Sequence, residues 1–313
     1  MASDSSLSCL TGLIYFMLVL IGVAGACVEP ASAVDGIARN VVSVSGSEGC
    51  TFADKGFPDL FCDERLFKDD GNATVFVAIA DARGRLGLKC SGTTIGRNRV
   101  LTAAHCFRDC LTSCKASIGY GAQIGPKALM APVRSIVFYP GALTTQLPGN
   151  DFALLIIADH DPGPGWRQAA RILLARSFVE GMPTELTVTG YGISSSTDRS
   201  QVGVSFENRV PVGSYACTEQ EVRLIGCRPF QEFILVDRRP GQKEAADTCD
   251  GDSGGPAMIP DRIPRILVGV TSRPATQEQS NCGKGGIYEL AGTIPVLEWL
   301  VSLVPDLRIV TSW

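Results

Sequence analysis

The residue best suited to nucleophilic chemistry is Ser253, in the segment DTCDGDSGGPAM at residues 247–258. Glycine and proline crowd around this one hydroxyl. Glycine costs backbone entropy, so the crowding indicates a special local conformation. A serine hydroxyl is a weak nucleophile at neutral pH and needs a base within hydrogen-bond reach, and that base needs an orienting partner.

The chain offers two histidines as candidate bases. His105 lies in VLTAAHC, where an apolar run ends in two small alanines, a context that places the ring near a core. His160 lies in ADHDPGPGW, whose composition is typical of a loop. We therefore predict that His105 is the base and that His160 is a solvated loop residue.

The predicted orienting residue is Asp151, in GNDFALLII. It directly precedes an apolar run, so its carboxylate should lie at the buried edge of a strand. An unpaired buried carboxylate is costly. Pairing with an imidazole N–H removes much of that cost and holds the ring in the correct tautomer.

The strand-like segments favour an all-β fold. Ten short β-rich runs, beginning at residue 73, are separated by turn residues. The segment IPVLEWLVSLV, residues 294–304, is the one stretch that spaces its apolar residues like a helix. We expect it to dock onto the outside of the β core.

The segments LTAAHC, NDFALL and GDSGGP, in this order, resemble the chymotrypsin/trypsin family of serine endopeptidases. The order His, Asp, Ser separates this family from subtilisins and α/β-hydrolases. The resemblance covers roughly residues 66–304. It implies two six-stranded antiparallel β-barrels, with His105, Asp151 and Ser253 as a catalytic triad in the cleft between them. The implied reaction is peptide-bond hydrolysis through an acyl-enzyme.

The resemblance also assigns roles around the serine. It implies that the backbone N–H groups of Gly251 and Ser253 form an oxyanion hole. Asp252 matches the aspartate that pairs with the new N-terminal ammonium after zymogen cleavage. No R-I-V-G-G activation motif is present, and Arg65-Leu66 is the nearest candidate cleavage site. Another maturation site is the alternative.

The substrate-binding residues implied by the resemblance are Asp247, Ser272 and Gly286. Asp247 matches the base of the primary specificity pocket, which implies cleavage after Arg or Lys. Gly286 matches a small residue in the pocket wall. Where the family has an S-W-G edge that pairs with substrate, this chain has Ser272-Arg273-Pro274. Proline lacks the N–H for one of those bonds, and Arg273 is expected to bring positive charge close to the pocket.

Twelve cysteines occur in the chain, and ten follow the apolar leader. In an exported protein this even number indicates up to five disulfides. The resemblance implies three of them, Cys90–Cys106, Cys217–Cys227 and Cys249–Cys282. We further predict Cys110–Cys114 and Cys50–Cys62, with crossed pairings among these last four cysteines left open. A zinc site at Cys106, Cys110, Cys114 and His105 is the alternative use of three of them.

The N-terminus predicts export. An apolar core at Leu13–Ala26 precedes the small-residue site Ala31-Ser32-Ala33, so residues 1–33 are predicted to be a signal peptide. An uncleaved membrane anchor is the alternative. Residues 34–65 would be a pro-segment or N-terminal extension, and residues 66–313 the protease domain. The protein is then secreted, or periplasmic if bacterial, with no membrane association after signal cleavage.

The charge pattern excludes some partners. The net charge is −4 and no basic cluster exceeds two consecutive residues, which argues against nucleic acid. Residues 113–131 contain no Asp or Glu, so no calcium site is expected there, and no cofactor is expected. We expect a monomer that acts on protein or peptide substrates and meets protein protease inhibitors. The alternative is a catalytically idle trypsin-like binding protein or adhesin.

Overall fold

Short runs rich in β-branched residues build the first barrel. Its six antiparallel strands follow β1 (Val41–Ser43), which pairs with β6 on the outside. They are β2 (Thr74–Ala80), β3 (Leu86–Gly96), β4 (Arg99–Thr102), β5 (Ala116–Tyr120), β6 (Leu129–Phe138) and β7 (Ala153–Ile157). They are ordered β6-β5-β2-β3-β4-β7, and pairing of β6 with β7 closes the barrel.

The second barrel also has six antiparallel strands. Its strands and two flanking ones are β8 (Arg171–Leu173), β9 (Glu185–Gly190), β10 (Phe206–Ser214), β11 (Glu232–Leu235), β12 (Pro256–Met258), β13 (Ile266–Pro274), β14 (Gly286–Leu290) and β15 (Ile309–Val310). The order β12-β9-β10-β11-β14-β13 closes through β12 and β13. β8 and β15 add parallel pairs beside β13. The predicted fold of two six-stranded barrels is confirmed.

This computed structural model describes residues 41–43, 73–81, 83–111, 114–121, 123, 129–143, 150–158, 169–193, 202–237, 248–276 and 282–313. The predicted signal peptide and pro-segment lie outside these residues. So do His160, Asp247, the Arg65-Leu66 bond and the Cys50–Cys62 pair. Within the described part of the chain, no helix has both the length and the apolar character needed to cross a bilayer.

Each barrel encloses its own apolar core. Side chains from all six strands meet inside the first barrel, including the fully buried Val75, Ile118 and Leu155. The second core contains Phe233 and Tyr288, whose rings stack with centroids 5.3 Å apart. Burying such side chains stabilises each barrel by about 1.5–3 kcal/mol per residue, which fixes the strand ends that carry the site.

Among the described residues, three α-helices accompany the two barrels. The predicted C-terminal helix is confirmed as α3 (Ile294–Leu303), which buries Val296, Leu297, Trp299 and Leu300. Two further helices, α1 (Ala175–Gly181) and α2 (Glu219–Ile225), were not among the elements predicted from the sequence. Each has seven residues, too few for apolar periodicity to reveal. A capping box between Thr218 and Glu221 begins α2.

Candidate active site

His105 lies where the first barrel ends a strand. β4 leads through the fully buried Ala103 and Ala104 into a 3₁₀ segment, Ala104–Cys110, that carries the histidine. His105 Nδ1 lies 2.6 Å from Asp151 Oδ2, and the His105 backbone N–H donates to Asp151 Oδ1 at 2.9 Å. Because one carboxylate contacts both the ring and the backbone, the imidazole has a fixed orientation.

Asp151 is also held from the second barrel. The Ser272 hydroxyl, on β13, donates to Asp151 Oδ2 at 2.6 Å. On the first-barrel side, the Ala104 N–H donates to the Asp151 carbonyl at 3.2 Å. Each carboxylate oxygen therefore has a hydrogen-bond partner, which offsets the cost of partly burying the charge.

The glycines around Ser253 allow a tight turn. Gly251 has φ 98° and Gly254 has φ 81°, values in the left-handed region that favours glycine. A Cβ added to Gly254 would overlap the Thr102 hydroxyl and the Ser91 carbonyl of the first barrel. Only glycine therefore lets the serine turn pack this closely against β3 and β4.

The backbone of Ser253 is fixed by Ser91 of β3. The Ser91 N–H donates to the Ser253 carbonyl at 2.8 Å, and the Ser91 hydroxyl donates to the Gly251 carbonyl at 3.0 Å. The same hydroxyl accepts the Tyr191 N–H at 3.0 Å. The position of the serine is thus set by contacts that cross between the barrels.

His105 and Ser253 line one open cavity of about 230 Å³. Its other walls include Thr248, Asp250 and Pro274. The structure therefore brings a candidate nucleophile and a candidate base to the same solvent-accessible space, with the carboxylate of Asp151 behind the base. This arrangement is able to support proton transfer from a serine during acyl transfer.

The family follows from a direct comparison. The trypsin family model matches residues 68–300. The chain belongs to the trypsin family. Among curated relatives, transmembrane protease serine 11E of Mus musculus is 26% identical over 202 residues, 64% of this chain and 45% of the mouse protein. Trypsin zeta of Drosophila melanogaster is 27% identical over 178 residues, 56% of this chain and 62% of the fly protein. The chain thus spans less than two thirds of the length of these two relatives.

The described part of this trypsin-family chain contains four disulfides. They pair Cys90–Cys106, Cys110–Cys114, Cys217–Cys227 and Cys249–Cys282, the partners expected from the sequence among the described cysteines. The three cysteines that follow the base are all in disulfides, so they offer no free thiolate to the zinc site considered above. The first bridge ties the base-bearing segment to β3, and the last ties the serine turn to the segment before β14.

Asp252 and Gly286 lie beside the cavity-lining residues Cys249 and Thr248, respectively. The Asp252 carboxylate accepts backbone N–H groups from Gly192 and Cys249, each at 2.8 Å. Its pairing with a new N-terminus stays a prediction. Gly286 begins β14, and a Cβ there would lie 3.1 Å from the Thr248 hydroxyl. A small residue at this place keeps the wall beside Thr248 open.

Arg273 lines the cavity, as expected, but its charge is paired. Its guanidinium forms a bidentate pair with Glu232, with Nη1 2.7 Å from Oε1 and Nη2 2.8 Å from Oε2. Nη2 also donates to the Gly226 carbonyl at 3.0 Å. A buried carboxylate therefore offsets the positive charge that was expected to act on the pocket.

Sequence reasoning missed two buried glutamates behind Asp151. Glu232 is fully buried on β11, and Glu289 is 2% exposed on β14. Burial raises the pKa of Glu289 well above its ordinary value, the negative charges of Glu232 and Asp151 raise it further, and Arg273 opposes them. The available signal was a charged residue inside each of the apolar runs EFIL and GIYEL.

Proposed function

We propose that this protein is a secreted serine endopeptidase, or a periplasmic one if the source is bacterial. The observation that carries the proposal is the His105–Asp151 pair, with 2.6 Å between Nδ1 and Oδ2, in the cavity that Ser253 also lines. Membership of the trypsin family supports the same reaction class.

The proposed mechanism follows from these contacts. His105 Nε2 accepts the proton of Ser253 Oγ as that oxygen attacks the substrate carbonyl carbon. The oxyanion is stabilised by the backbone N–H groups of Gly251 and Ser253. His105 then protonates the leaving amine, and water hydrolyses the acyl-enzyme by the same proton path. Asp151 holds the tautomer and stabilises the imidazolium.

We further propose cleavage after Arg or Lys. Asp247 lies six residues before Ser253 and directly before Thr248, which lines the cavity. Gly286, the other residue that the resemblance assigns to the pocket, lies beside the Thr248 hydroxyl. A carboxylate at the base of a desolvated pocket favours a cationic side chain, because an unpaired buried charge is costly. Bound protease inhibitors of protein type would use the same pocket.

Export and maturation complete the proposal. Four disulfides among the described cysteines favour an oxidising compartment. Cleavage of the Arg65-Leu66 bond would release a Leu66 ammonium for Asp252. Terminal sequencing of fully active protein tests this step, and an intact Arg65-Leu66 bond in that material would refute it.

A fluorophosphonate probe tests the enzymatic proposal. Mature wild-type protein should be labelled at Ser253 and should hydrolyse peptides, because only an activated serine reacts with the probe. Ser253→Ala and His105→Ala, with unchanged melting temperature, should lose turnover by about 10⁶-fold. A folded wild type that is neither labelled nor active would instead favour the idle binding protein, for which the Arg273-Pro274 departure is the supporting observation.

A further inference from the structure

A continuous set of buried polar contacts extends behind Asp151. The Asp151 N–H lies 3.4 Å from Glu289 Oε1. Glu289 and Glu232, directly opposite each other on β14 and β11, share a side-chain hydrogen bond. Glu232 pairs with Arg273, and its Oε2 also accepts the Arg228 N–H at 2.7 Å. We call Glu289, Glu232 and Arg273 the buried network.

The charges of the buried network do not balance unless one carboxyl is protonated. Within it, Glu232 and Glu289 carry two negative charges when ionised, against the one guanidinium of Arg273. Burial and the two neighbouring carboxylates raise the pKa of Glu289, so Glu289 is the group that keeps its proton. It then donates to Glu232 as a neutral acid, and the ion pair of Glu232 with Arg273 is left electrically balanced.

The surroundings of Glu289 add two more titratable groups. Tyr139, directly after β6, interacts electrostatically with Glu289, and burial is the main cause of its raised pKa. Arg228 lines the same cavity as Glu289 and Tyr139. The groups around Glu289 are therefore Glu232 from β11, Arg273 from β13, Asp151 from the loop before β7, Tyr139 and Arg228. Arg273 and Arg228 carry positive charge, and Arg273 is the cation that opposes the rise in the Glu289 pKa.

We propose that Glu289, Glu232 and Arg273 are positioning residues for the His105–Asp151 pair, and that their net charge sets the pH range in which this pair works as a base. The proposal rests on the proposed function and deepens it. The contact of Glu289 with the Asp151 backbone supports the positioning of Asp151. The balanced Arg273–Glu232 pair supports the effect on the pH range, since charges act strongly on one another in a buried region.

Opposite charge changes within the network should have opposite effects. Arg273→Gln removes a cation and leaves excess negative charge behind Asp151, which favours protonated His105. Glu232→Gln removes an anion and leaves excess positive charge, which disfavours it. Since neutral His105 is the active base, the acid limb of the pH–rate profile should move to higher pH in Arg273→Gln and to lower pH in Glu232→Gln.

The experiment measures the second-order rate constant of inactivation by a small uncharged fluorophosphonate across pH. It compares mature wild type, Arg273→Gln, Glu232→Gln and the double variant. We expect opposite shifts of the acid limb by about 0.5–1 pH unit, equal to roughly 3- to 10-fold in rate on the limb, with the double variant close to wild type. Shifts in the same direction, or a change in rate without any shift, would overturn the proposal.

The same experiment separates failure of the inference from failure of the proposed function. If the wild type reacts normally and the acid limb of the pH–rate profile does not move in any variant, only the role proposed for the buried network is rejected. A folded wild type that does not react at any pH would reject the endopeptidase proposal, and the inference with it.

A second measurement does not depend on the folding of charge-removing variants. Infrared spectroscopy of the wild type at neutral pH should show the carbonyl band of a protonated, buried carboxyl group. The nearly isosteric Glu289→Gln variant should lack that band. Absence of the band from the wild type would mean that Glu289 is ionised. This would overturn the assignment of Glu289 as the neutral acid that donates to Glu232.

Discussion

Ser272 donates a hydrogen bond to Asp151 across the two barrels, with 2.6 Å between Ser272 Oγ and Asp151 Oδ2. The same carboxylate oxygen lies 2.6 Å from His105 Nδ1. Ser272 belongs to β13 of the second barrel, whereas Asp151 precedes β7 of the first. The orientation of the carboxylate behind the base therefore depends on both halves of the molecule.

Ser272→Ala should slow peptide hydrolysis by about tenfold or more. A hydrogen bond to a charged group contributes about 1.5–3 kcal/mol, and its loss lets the carboxylate rotate away from His105. The measurement is kcat/KM on one peptide substrate. Ser272→Thr is the matched control, because it keeps the hydroxyl and should retain most activity. An alanine variant as fast as the wild type would show that Ser272 does not orient Asp151.

Gly254→Ala should destabilise the fold far more than Gly84→Ala. The two glycines have φ of 81° and 78°, but a Cβ at Gly254 would overlap neighbouring atoms, whereas no atom lies within 4 Å at Gly84. We expect about 1–2 kcal/mol for the backbone cost at Gly84 and roughly 3 kcal/mol or more at Gly254. Urea unfolding measures both. Equal losses in the free energy of unfolding for Gly254→Ala and Gly84→Ala would mean that the turn around Ser253 relaxes to accommodate the added methyl group.

Glu289→Gln should remove a pH dependence of stability. The folded-state pKa of Glu289 is raised above its ordinary value of 4.5, so the folded protein keeps a proton that the unfolded chain releases as pH rises. Wild-type stability therefore falls with pH between these two pKa values, by up to about 1.4 kcal/mol per pH unit.

The readout for this change is the free energy of unfolding at several pH values above about 4.5. The free energy of unfolding of Glu289→Gln should rise relative to that of the wild type as pH rises. The exposed Glu298→Gln on α3 is the control, and its curve should run parallel to that of the wild type. A constant difference between Glu289→Gln and wild type at all pH values would contradict the assignment.

Asp247→Ser should lower kcat/KM on Arg substrates by several powers of ten, because the pocket would lose its negative charge. Arg should match or exceed Lys in the wild type, since its planar fork forms a bidentate pair with a carboxylate. Matched Arg, Lys, Phe and Ala peptides measure the preference. Asp250→Ser is the control, as Asp250 also lines the cavity. A wild type that prefers Phe or Ala would refute the pocket assignment.

Local patterns in the sequence were enough to find the triad candidates and most strands. His105 and Asp151 each lie beside an apolar run that forms a strand, β4 and β7, and the glycines beside Ser253 mark the turn. The ten predicted runs do not cover β3 or β5 of the first barrel. In β3, LGLKCSGTTIG mixes small and polar residues, although Ser91 and Thr93 within it are fully buried. Their burial comes from barrel closure, which short-range periodicity does not report.

The buried network was not predictable for a different reason. Arg273 and Glu232 are 41 residues apart, and Glu289 contacts Asp151 across a separation of 138 residues. Only the register of β11, β13 and β14 brings them together. Charged residues inside apolar strand runs indicate that some buried partner exists, but the identity of that partner depends on strand order.

Ser91 has a consequence for how the molecule loses its structure. It is fully buried on β3 of the first barrel, yet its N–H and hydroxyl bond the serine turn and Tyr191 of the second. If either barrel melted alone, these hydrogen bonds would be exchanged for bonds to water, with a net loss of about 0.5–1.5 kcal/mol each. The two halves are therefore coupled into one cooperative unit, which should melt in a single calorimetric transition, and the nucleophile cannot become mobile before the whole fold does.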